Sequence, residues 1–477
     1  MDRTIAEMIA LQNLPFHFVE GTGFRRVMQA ALPKYKIRGR DFFSSYVCDN
    51  LYNKLAKKTK DLLEEFDKLS FTSDIWSELH SAVSLLSLTA HGISKDFRKK
   101  TIILKCEVMD ERHTGTIIST KFQTILEEWG IDRQKVHCMV RDRGSNMVRA
   151  MQLSGFEDIS CAIHQIQLCI RAGVESQEWL LQLIAKLKKI ATHFNHSLVA
   201  QAELTKIQKE RLNQSPLSVI QDCPTSISSV IPLIQVLKTT LQQEETKPNT
   251  SEQFINFITK LRDELNSSVR FGNLVEDDKY TIATYLDPRY KSHFFTSVIA
   301  EQVESKLLNM TINTIRTRQS NSIQDDDCEP SPKRSRTQIA IEDIEVQPST
   351  SKSSASLQIL ESMLSVNEDQ EEDSSTADDG DNLLLKIQSH LREYKKEKRL
   401  PLHEDPLMWW NGNAHKYNNI LPIVRQYLSA PPSSVASEQL FSGAGLIYEE
   451  HRNRLKGEKA AKLLFIKYNL PLFNFDY

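Results

Sequence analysis

The sequence predicts an α/β protein whose mixed β-sheet is interrupted by an α-helical insertion and followed by a C-terminal helical region. Three observations predict this class. Three β-favouring runs follow one another between residues 66 and 110, and two helix–strand units come after them. Apolar residues then recur at helical spacing through residues 165–320 and 383–477. Of the 477 residues, 40% are hydrophobic and 26% are charged, which is a globular composition.

The predicted elements of the sheet region follow the order β-β-β-α-β-α-β, after a mostly helical N-terminal segment. The strands share apolar and β-branched residues. They are expected at residues 69–76, 81–90, 100–108, 135–140 and 158–163. Helices are expected at residues 114–129 and from residue 145. Three meandering strands followed by βαβ units give a mixed sheet with helices on both faces, a layout that matches the ribonuclease H-like fold.

Five regions are expected along the chain. Residues 321–382 are poor in aromatic residues and rich in Ser, Asp and Glu, so we expect a disordered acidic linker there. The full division is an N-terminal helical segment (1–65), the first part of the core (66–175), the helical insertion (176–320), the linker (321–382) and the C-terminal region (383–477).

Charge is unevenly distributed along the chain. Residues 321–382 contain 16 acidic and four basic side chains, a net charge of −12. Because the whole chain carries −2, the remainder carries +10. Such a surplus attracts a polyanion such as DNA, and the acidic segment can screen it. Ordinary surface lysines beside a solubilising linker explain the same numbers equally well.

Several classes of protein are not expected. No apolar stretch is long enough to span a membrane, and the first residues lack the apolar core of a secretory signal. Seven scattered cysteines without a Cys-x-x-Cys pair indicate a reducing compartment. A short basic cluster flanked by prolines, with Lys333, Arg334 and Arg336, predicts recognition by a nuclear import receptor and hence a location in the nucleus, although short basic runs also arise by chance.

Three acidic residues are candidates for a metal site. Asp74 and Asp142 each follow a predicted strand, at the sheet edge where ligands gather in open α/β sheets. Paired carboxylates suit Mg²⁺ or Mn²⁺, and two such ions can activate a nucleophile against a phosphodiester. Each Asp is also a common helix-capping residue. Glu438 lies in the first turn of a helix that Ser434 can cap, where a carboxylate complements the helix dipole.

Several motifs together resemble the hAT superfamily of transposases, specifically its zinc finger BED domain-containing group. The matching segments contain Asp74 with Trp76, Asp142 with Asn146, and Cys161 with His164. The resemblance continues in Leu286-Asp287-Pro288-Arg289-Tyr290-Lys291, in residues 432–445 around Glu438, and in Arg452-Asn453-Arg454-Leu455.

The resemblance implies specific roles for these residues. Asp74, Asp142 and Glu438 would be the catalytic Asp-Asp-Glu ligands for Mg or Mn, and Trp76, Cys161 and His164 would be family motif residues. We do not expect zinc at Cys161 and His164, because no second ligand pair follows at suitable spacing. The C-terminal region would complete the catalytic core and pair with a second copy or a related hAT-type protein. Its candidate contact residues are Trp409, Trp410, Leu440, Phe441, Leu464 and Phe465.

The sequence departs from the family pattern in its DNA-handling parts. We find no BED zinc finger in it, and no Arg-Trp pair follows Thr225, so the insertion is expected to be shortened. Arg143 and Gln439 replace the usual neighbours of two of the acids. Three functions stay open: a domesticated nuclear protein that dimerises and associates with DNA or chromatin to regulate transcription, an active metal-dependent transposase or nuclease, and a scaffold that sequesters partners.

Overall fold

The computed structural model of the chain describes residues 1–78, 83–196, 226–248, 250–322, 382–447, 455 and 457–477. The predicted import cluster at Lys333, Arg334 and Arg336 lies outside them. So do Arg452, Asn453 and Arg454 and nearly all of the predicted linker. The two ends of that linker belong to helices, Ser297–Ser322 and Asn382–Lys396.

Four α-helices, a 3-10 helix (Phe16–Glu20) and a π-helical stretch (Tyr46–Leu51) precede the sheet, in agreement with the prediction of a mostly helical N-terminal segment. The α-helices are α1 (Asp2–Leu11), α2 (Thr22–Ala31), α3 (Arg40–Ser45) and α4 (Tyr52–Glu64). In α1, Ile5, Ala6, Ile9 and Ala10 are buried, a spacing that places them on one face of the helix. The same apolar cluster continues through α4 into the sheet, so the N-terminal helices cover one of its faces.

Six strands form one mixed sheet. They are β1 (Leu69–Thr72), β2 (Ile75–Glu78), β3 (Val83–Ile93), β4 (Lys99–Val108), β5 (Val136–Arg141) and β6 (Asp158–Ser160). Both β1 and β2 pair antiparallel with β3, which pairs with β4 on its other side. On the far side of β1, β5 and then β6 run parallel to it. The mixed sheet is therefore confirmed.

The first predicted strand, residues 69–76, is wrong in one respect, because it consists of two strands. The chain leaves the ladder at Ser73 and Asp74, where the Asp74 carboxylate accepts a hydrogen bond from the backbone N–H of Ile75 (2.8 Å). A side chain that bonds its own backbone competes with strand pairing. Ser87 of β3 holds the break, since its Oγ lies 3.2 Å from both the N and the O of Asp74.

Helices follow the sheet strands and fill the insertion. Next in the chain come α5 (Gly115–Trp129), α6 (Ser145–Ser154), α7 (Ala162–Glu175) and α8 (Glu178–His196). The later helices of the insertion are Val230–Glu245, Glu252–Asn266, Asp278–Leu286 and Ser297–Ser322. Those of the C-terminal region are Asn382–Lys396, Pro406–Gly412, Leu421–Ser429, Val435–Ile447 and Gly457–Asn469.

The buried apolar residues form two clusters that share the sheet. One joins the N-terminal helices to α5, α6 and the helix Gly457–Asn469, and the other joins β5 and β6 to the insertion and to residues 387–430. In the second cluster Trp410 is fully buried, and its indole N–H donates to the Leu286 carbonyl at 2.8 Å. None of the helices in the described ranges combines the length and apolar character that a membrane span requires.

Candidate acidic site at the end of the sheet

Asp74 and Asp142 occupy equivalent places after two neighbouring parallel strands. Thr72 of β1 is in register with Val140 of β5, and each aspartate lies two positions further along. Parallel strands end at the same edge of a sheet, so the two carboxylates are brought to one side of the molecule. Asp142 Oδ1 accepts a hydrogen bond from the Gly144 N–H (3.2 Å), which turns the chain into α6.

Glu438 reaches the same edge from the helix Val435–Ile447, almost 300 residues further along the chain. Two contacts fix the start of this helix. The Ala162 N–H donates to the Pro432 carbonyl (3.0 Å), and the Ser434 N–H lies 3.4 Å from the buried Cys161 sulfur. The Cys161 motif thus has a structural task, which is to hold the segment that presents Glu438.

Ser434 differs from its predicted capping role. Its carbonyl accepts from the N–H groups of Ser437 (2.8 Å) and Glu438 (3.3 Å), as the residue before a helix does. Its hydroxyl, however, is buried and has no hydrogen-bond partner among the residues that the structure describes. The backbone rather than the side chain of Ser434 therefore begins the helix.

His164 lies beside Glu438. The Nε2 atom of His164 and Oε1 of Glu438 are 4.0 Å apart, so the two groups form an ion pair when the imidazole is protonated. Both side chains remain partly accessible to solvent, with exposed fractions of 34% and 45%. The other ring nitrogen, Nδ1, is buried and has no hydrogen-bond partner within the described part of the chain.

The electrostatics of Asp74 show that these groups are neighbours. Burial raises the pKa of its carboxyl from 3.8 to about 6, and the negative charges of Asp142 and Glu438 raise that pKa as well. The hydrogen bond from Ile75 N–H and the charge of His164 act in the opposite direction. Asp74, Asp142, Glu438 and His164 therefore share one electrostatic environment, which we call the acidic site.

The donor chemistry of the acidic site is that of a hard cation, since its three carboxylates offer only oxygen. Within the described ranges, however, no group of three or more His, Cys, Asp or Glu side chains is close enough to hold a metal ion. The structure brings the three acids to one edge without closing them into a ligand set. Their assignment as Mg or Mn ligands stays a prediction.

A network of polar side chains beneath the acidic site, buried except at Thr101, was not foreseen from the sequence. The Ser437 hydroxyl donates to Thr72 Oγ1 (3.4 Å), which lies 3.0 Å from His91 Nε2, and Nδ1 of His91 is 3.2 Å from Thr101 Oγ1. Burial lowers the pKa of His91 to about 3, so its ring is neutral. These hydrogen-bonded side chains connect the helix Val435–Ile447 to the end of β1. No signal in the sequence indicated this connection, because Ser437 and Thr72 are 365 positions apart in the chain.

The predicted dimerisation residues are mostly internal. Trp410, Leu440, Phe441, Leu464 and Phe465 are each at most 5% exposed within a single chain. Phe441 stacks on Trp76 with ring centroids 6.2 Å apart, which gives that motif residue a packing role. Trp409 is half-buried. Packing inside one chain accounts for these side chains, and in this conformation a second chain would have to contact other residues.

Comparison with known proteins gives the context for this site. The model described as the hAT family C-terminal dimerisation region matches residues 390–470. The model described as the ZBED1 RNase-like domain matches residues 72–158, which include Asp74 and Asp142. The chain is a relative of the hAT transposases. The hAT resemblance of the sequence is thus confirmed in both halves of the core.

Curated proteins match this chain along nearly its whole length. Zinc finger BED domain-containing protein 4 of Homo sapiens is 23% identical, over 99% of the chain and 44% of that protein. Zinc finger BED domain-containing protein 6 of Mus musculus is 21% identical, over 100% of the chain and 56% of that protein. A Zea mays protein named as an AC transposase is 22% identical, over 96% of the chain and 64% of that protein. The chain spans about half the length of the BED domain-containing proteins.

Proposed function

We propose that this hAT relative is a transposase-derived nuclear protein that dimerises, associates with DNA or chromatin and regulates transcription without transposing DNA. Its uneven charge is the observation that carries the proposal. Outside residues 321–382 the chain has a surplus of ten positive charges, which is the electrostatic requirement for binding a polyanion.

The name of one relative supports a regulatory role. Two kinds of BED domain-containing protein match nearly all of the chain, and a Talaromyces stipitatus protein named as a transcriptional regulator is 20% identical over 97% of it. A location in the nucleus is supported by the basic cluster at Lys333, Arg334 and Arg336. Dimerisation, with a second copy or another hAT-type protein, is supported by the family match over residues 390–470.

Binding of duplex DNA by the full chain tests the proposal. Each phosphate neutralised contributes about 0.9 to the slope of log affinity against log salt concentration, so a protein that contacts several phosphates loses affinity steeply as salt rises. We expect such a slope in a fluorescence anisotropy titration, and a dimer by light scattering at micromolar concentration. A chain that dimerises but binds no DNA at any salt concentration would instead support the partner-sequestering scaffold.

The electrostatics of Asp74 favour one alternative, a metal-dependent nuclease. A carboxyl whose pKa is raised by burial and by two further carboxylates is typical of functional acidic sites. A bound Mg²⁺ or Mn²⁺ would neutralise the three acids and activate a water or hydroxyl. If the alternative is correct, purified protein nicks supercoiled DNA in Mg²⁺ or Mn²⁺ and Asp142→Ala abolishes the nicking. The absence of nicking by the full chain rejects it.

A further inference from the structure

Residues 22–42, which we call the basic segment, are the most one-sidedly charged part of the folded N-terminal region. Between residues 21 and 40 the sequence has six cations and no acidic residue. The cations are Arg25, Arg26, Lys34, Lys36, Arg38 and Arg40. All six side chains are exposed.

The first part of the basic segment is a helix that turns its apolar face inward. No residue of α2 is buried. Phe24 and Met28 are half-buried on its inner side, and the Phe24 ring lies 5.0 Å from that of Phe18. This face attaches the helix to the protein, so Arg25 and Arg26 project from the outer face.

The second part places a row of cations on the surface. From Lys34 to Arg38, exposed cations alternate with the half-buried Tyr35 and Ile37, which pack against the apolar core. The Tyr35 hydroxyl donates to the Asp2 carboxylate and so anchors the backbone. Because Tyr35 and Ile37 face the protein, the three cations between and beside them face solvent on the same anchored segment.

Little in the described part of the chain neutralises these charges. Arg40 lies 3.8 Å from Asp41, and both side chains are exposed, so this ion pair is weak. The Arg38 guanidinium lies 5.5 Å from the centre of the exposed Phe42 ring, and Arg25 donates to the Val19 carbonyl at 3.4 Å. Two further acids lie nearby: Glu20 accepts from the Arg40 backbone N–H at 3.1 Å, and Asp2 accepts from the Tyr35 hydroxyl.

We propose that the basic segment is a surface that binds the phosphate backbone of duplex DNA. The inference rests on the proposed function and adds to it the surface that makes the contact. Phosphate contacts from Lys and Arg position a protein on a duplex without reading its sequence, and exposed cations that outnumber their acidic neighbours supply them. The expected binding is therefore largely independent of sequence and steeply dependent on salt.

Two other occupants fit the basic segment less well. A helix that binds a membrane surface inserts its apolar face into lipid, whereas the apolar face of α2 already contacts the protein. A second copy that used the same surface in a two-fold symmetric contact would bring six cations against six. Such like-charge contacts are repulsive.

A charge-neutral variant tests this surface directly. The variant that combines Lys34→Gln, Lys36→Gln and Arg38→Gln lacks three exposed cations of the row. We call it the row variant. The matched control removes three exposed lysines from α8 by combining Lys186→Gln, Lys188→Gln and Lys189→Gln. DNA affinity of the full chain is measured by anisotropy between 50 and 200 mM salt, and thermal unfolding verifies that each variant is folded.

We expect the dependence of log affinity on log salt to become shallower in the row variant. The absolute slope falls by about 2.7, since each of the three lost phosphate contacts contributes about 0.9. The salt-induced loss of affinity over that range then shrinks by about 40-fold, and the control keeps the slope of the unmodified chain. Equal slopes for both variants would overturn the proposed surface while leaving DNA binding intact.

Failure of the unmodified chain to bind DNA would instead overturn the proposed function. Stronger binding to anionic lipid vesicles than to DNA, lost in the row variant, would assign the surface to a membrane.

Discussion

At the scale of a residue, Asp74 is a side chain whose charge state changes on folding. Its carboxyl has a pKa of about 6 in the folded protein, above the ordinary value of 3.8. Between these values the folded state binds more protons than the unfolded state, so stability falls as pH rises through this window. Near pH 7 the ionised Asp74 therefore destabilises the fold, by about 1 to 3 kcal/mol.

Asp74→Asn is expected to remove this penalty. The amide oxygen can still accept the hydrogen bond from Ile75, so the strand break is retained. We expect the variant to unfold at a higher temperature than the unmodified chain near pH 7.5, with an advantage that shrinks as pH falls to about 4. The exposed Asp61→Asn serves as control. An equal effect of Asp74→Asn at both pH values would contradict the assignment.

The acids of the site could be placed from the sequence, but their surroundings could not. Asp74 and Asp142 each follow a strand, and that local rule predicts a shared edge. The pKa shift of Asp74 depends on burial and on Glu438, which is distant in the chain. The link from Ser437 through Thr72 to His91 likewise depends on tertiary contacts, which hydroxyl side chains do not announce in a sequence.

At the scale of an element, Asn469 attaches the helix Gly457–Asn469 to the edge of β4. Its Oδ1 accepts from the Ile103 N–H (2.9 Å) and its Nδ2 donates to the Ile103 carbonyl (2.7 Å). The side chain is fully buried and replaces the partner strand that β4 lacks at this point. Asn469→Ala leaves a backbone donor and acceptor unpaired, so we expect a loss of about 2 to 3 kcal/mol.

Thermal or denaturant unfolding measures this loss against a matched substitution. Asn411 is an exposed asparagine in the helix Pro406–Gly412, and Asn411→Ala is expected to change stability by less than about 0.5 kcal/mol. Similar values for the two variants would show that the helix is held to β4 by apolar packing alone.

The elements themselves were predicted best where their pattern is long. The helix expected at residues 114–129 agrees with α5, Gly115–Trp129, because five apolar residues mark its inner face and Thr114 caps it. The break at Ser73 and Asp74 was missed, since a run of β-favouring residues gives no sign of where the hydrogen bonds change partner.

At the scale of the whole molecule, the C-terminal region belongs to the core of the fold. The helix Gly457–Asn469 packs in the same apolar cluster as α1, more than 440 residues away in the chain. The sequence predicted that this region would complete the catalytic core and also supply a dimerisation surface, but not which of its large apolar residues serve each purpose. The structure buries them in their own chain, and such long-range burial cannot be derived from local periodicity.

The charge balance of the whole chain leads to the last prediction. Residues 321–382 carry −12 against +10 elsewhere, so we expect them to compete with DNA for the cationic surface. Replacing Glu368, Asp369, Glu371, Glu372 and Asp373 with their amides is expected to raise DNA affinity at 50 mM salt. Near 1 M salt the gain should vanish, because the screening length falls to about 3 Å.

The control for this variant leaves the charge unchanged. The control combines Ser374→Ala, Ser375→Ala and Thr376→Ala, which alter the adjacent residues without changing the charge. The DNA affinity of this control should equal that of the unmodified chain. If the amide variant binds DNA no more tightly than this control at 50 mM salt, the acidic residues do not compete for the surface. In that case their charge would act on solubility, the other role that a segment of this composition can have.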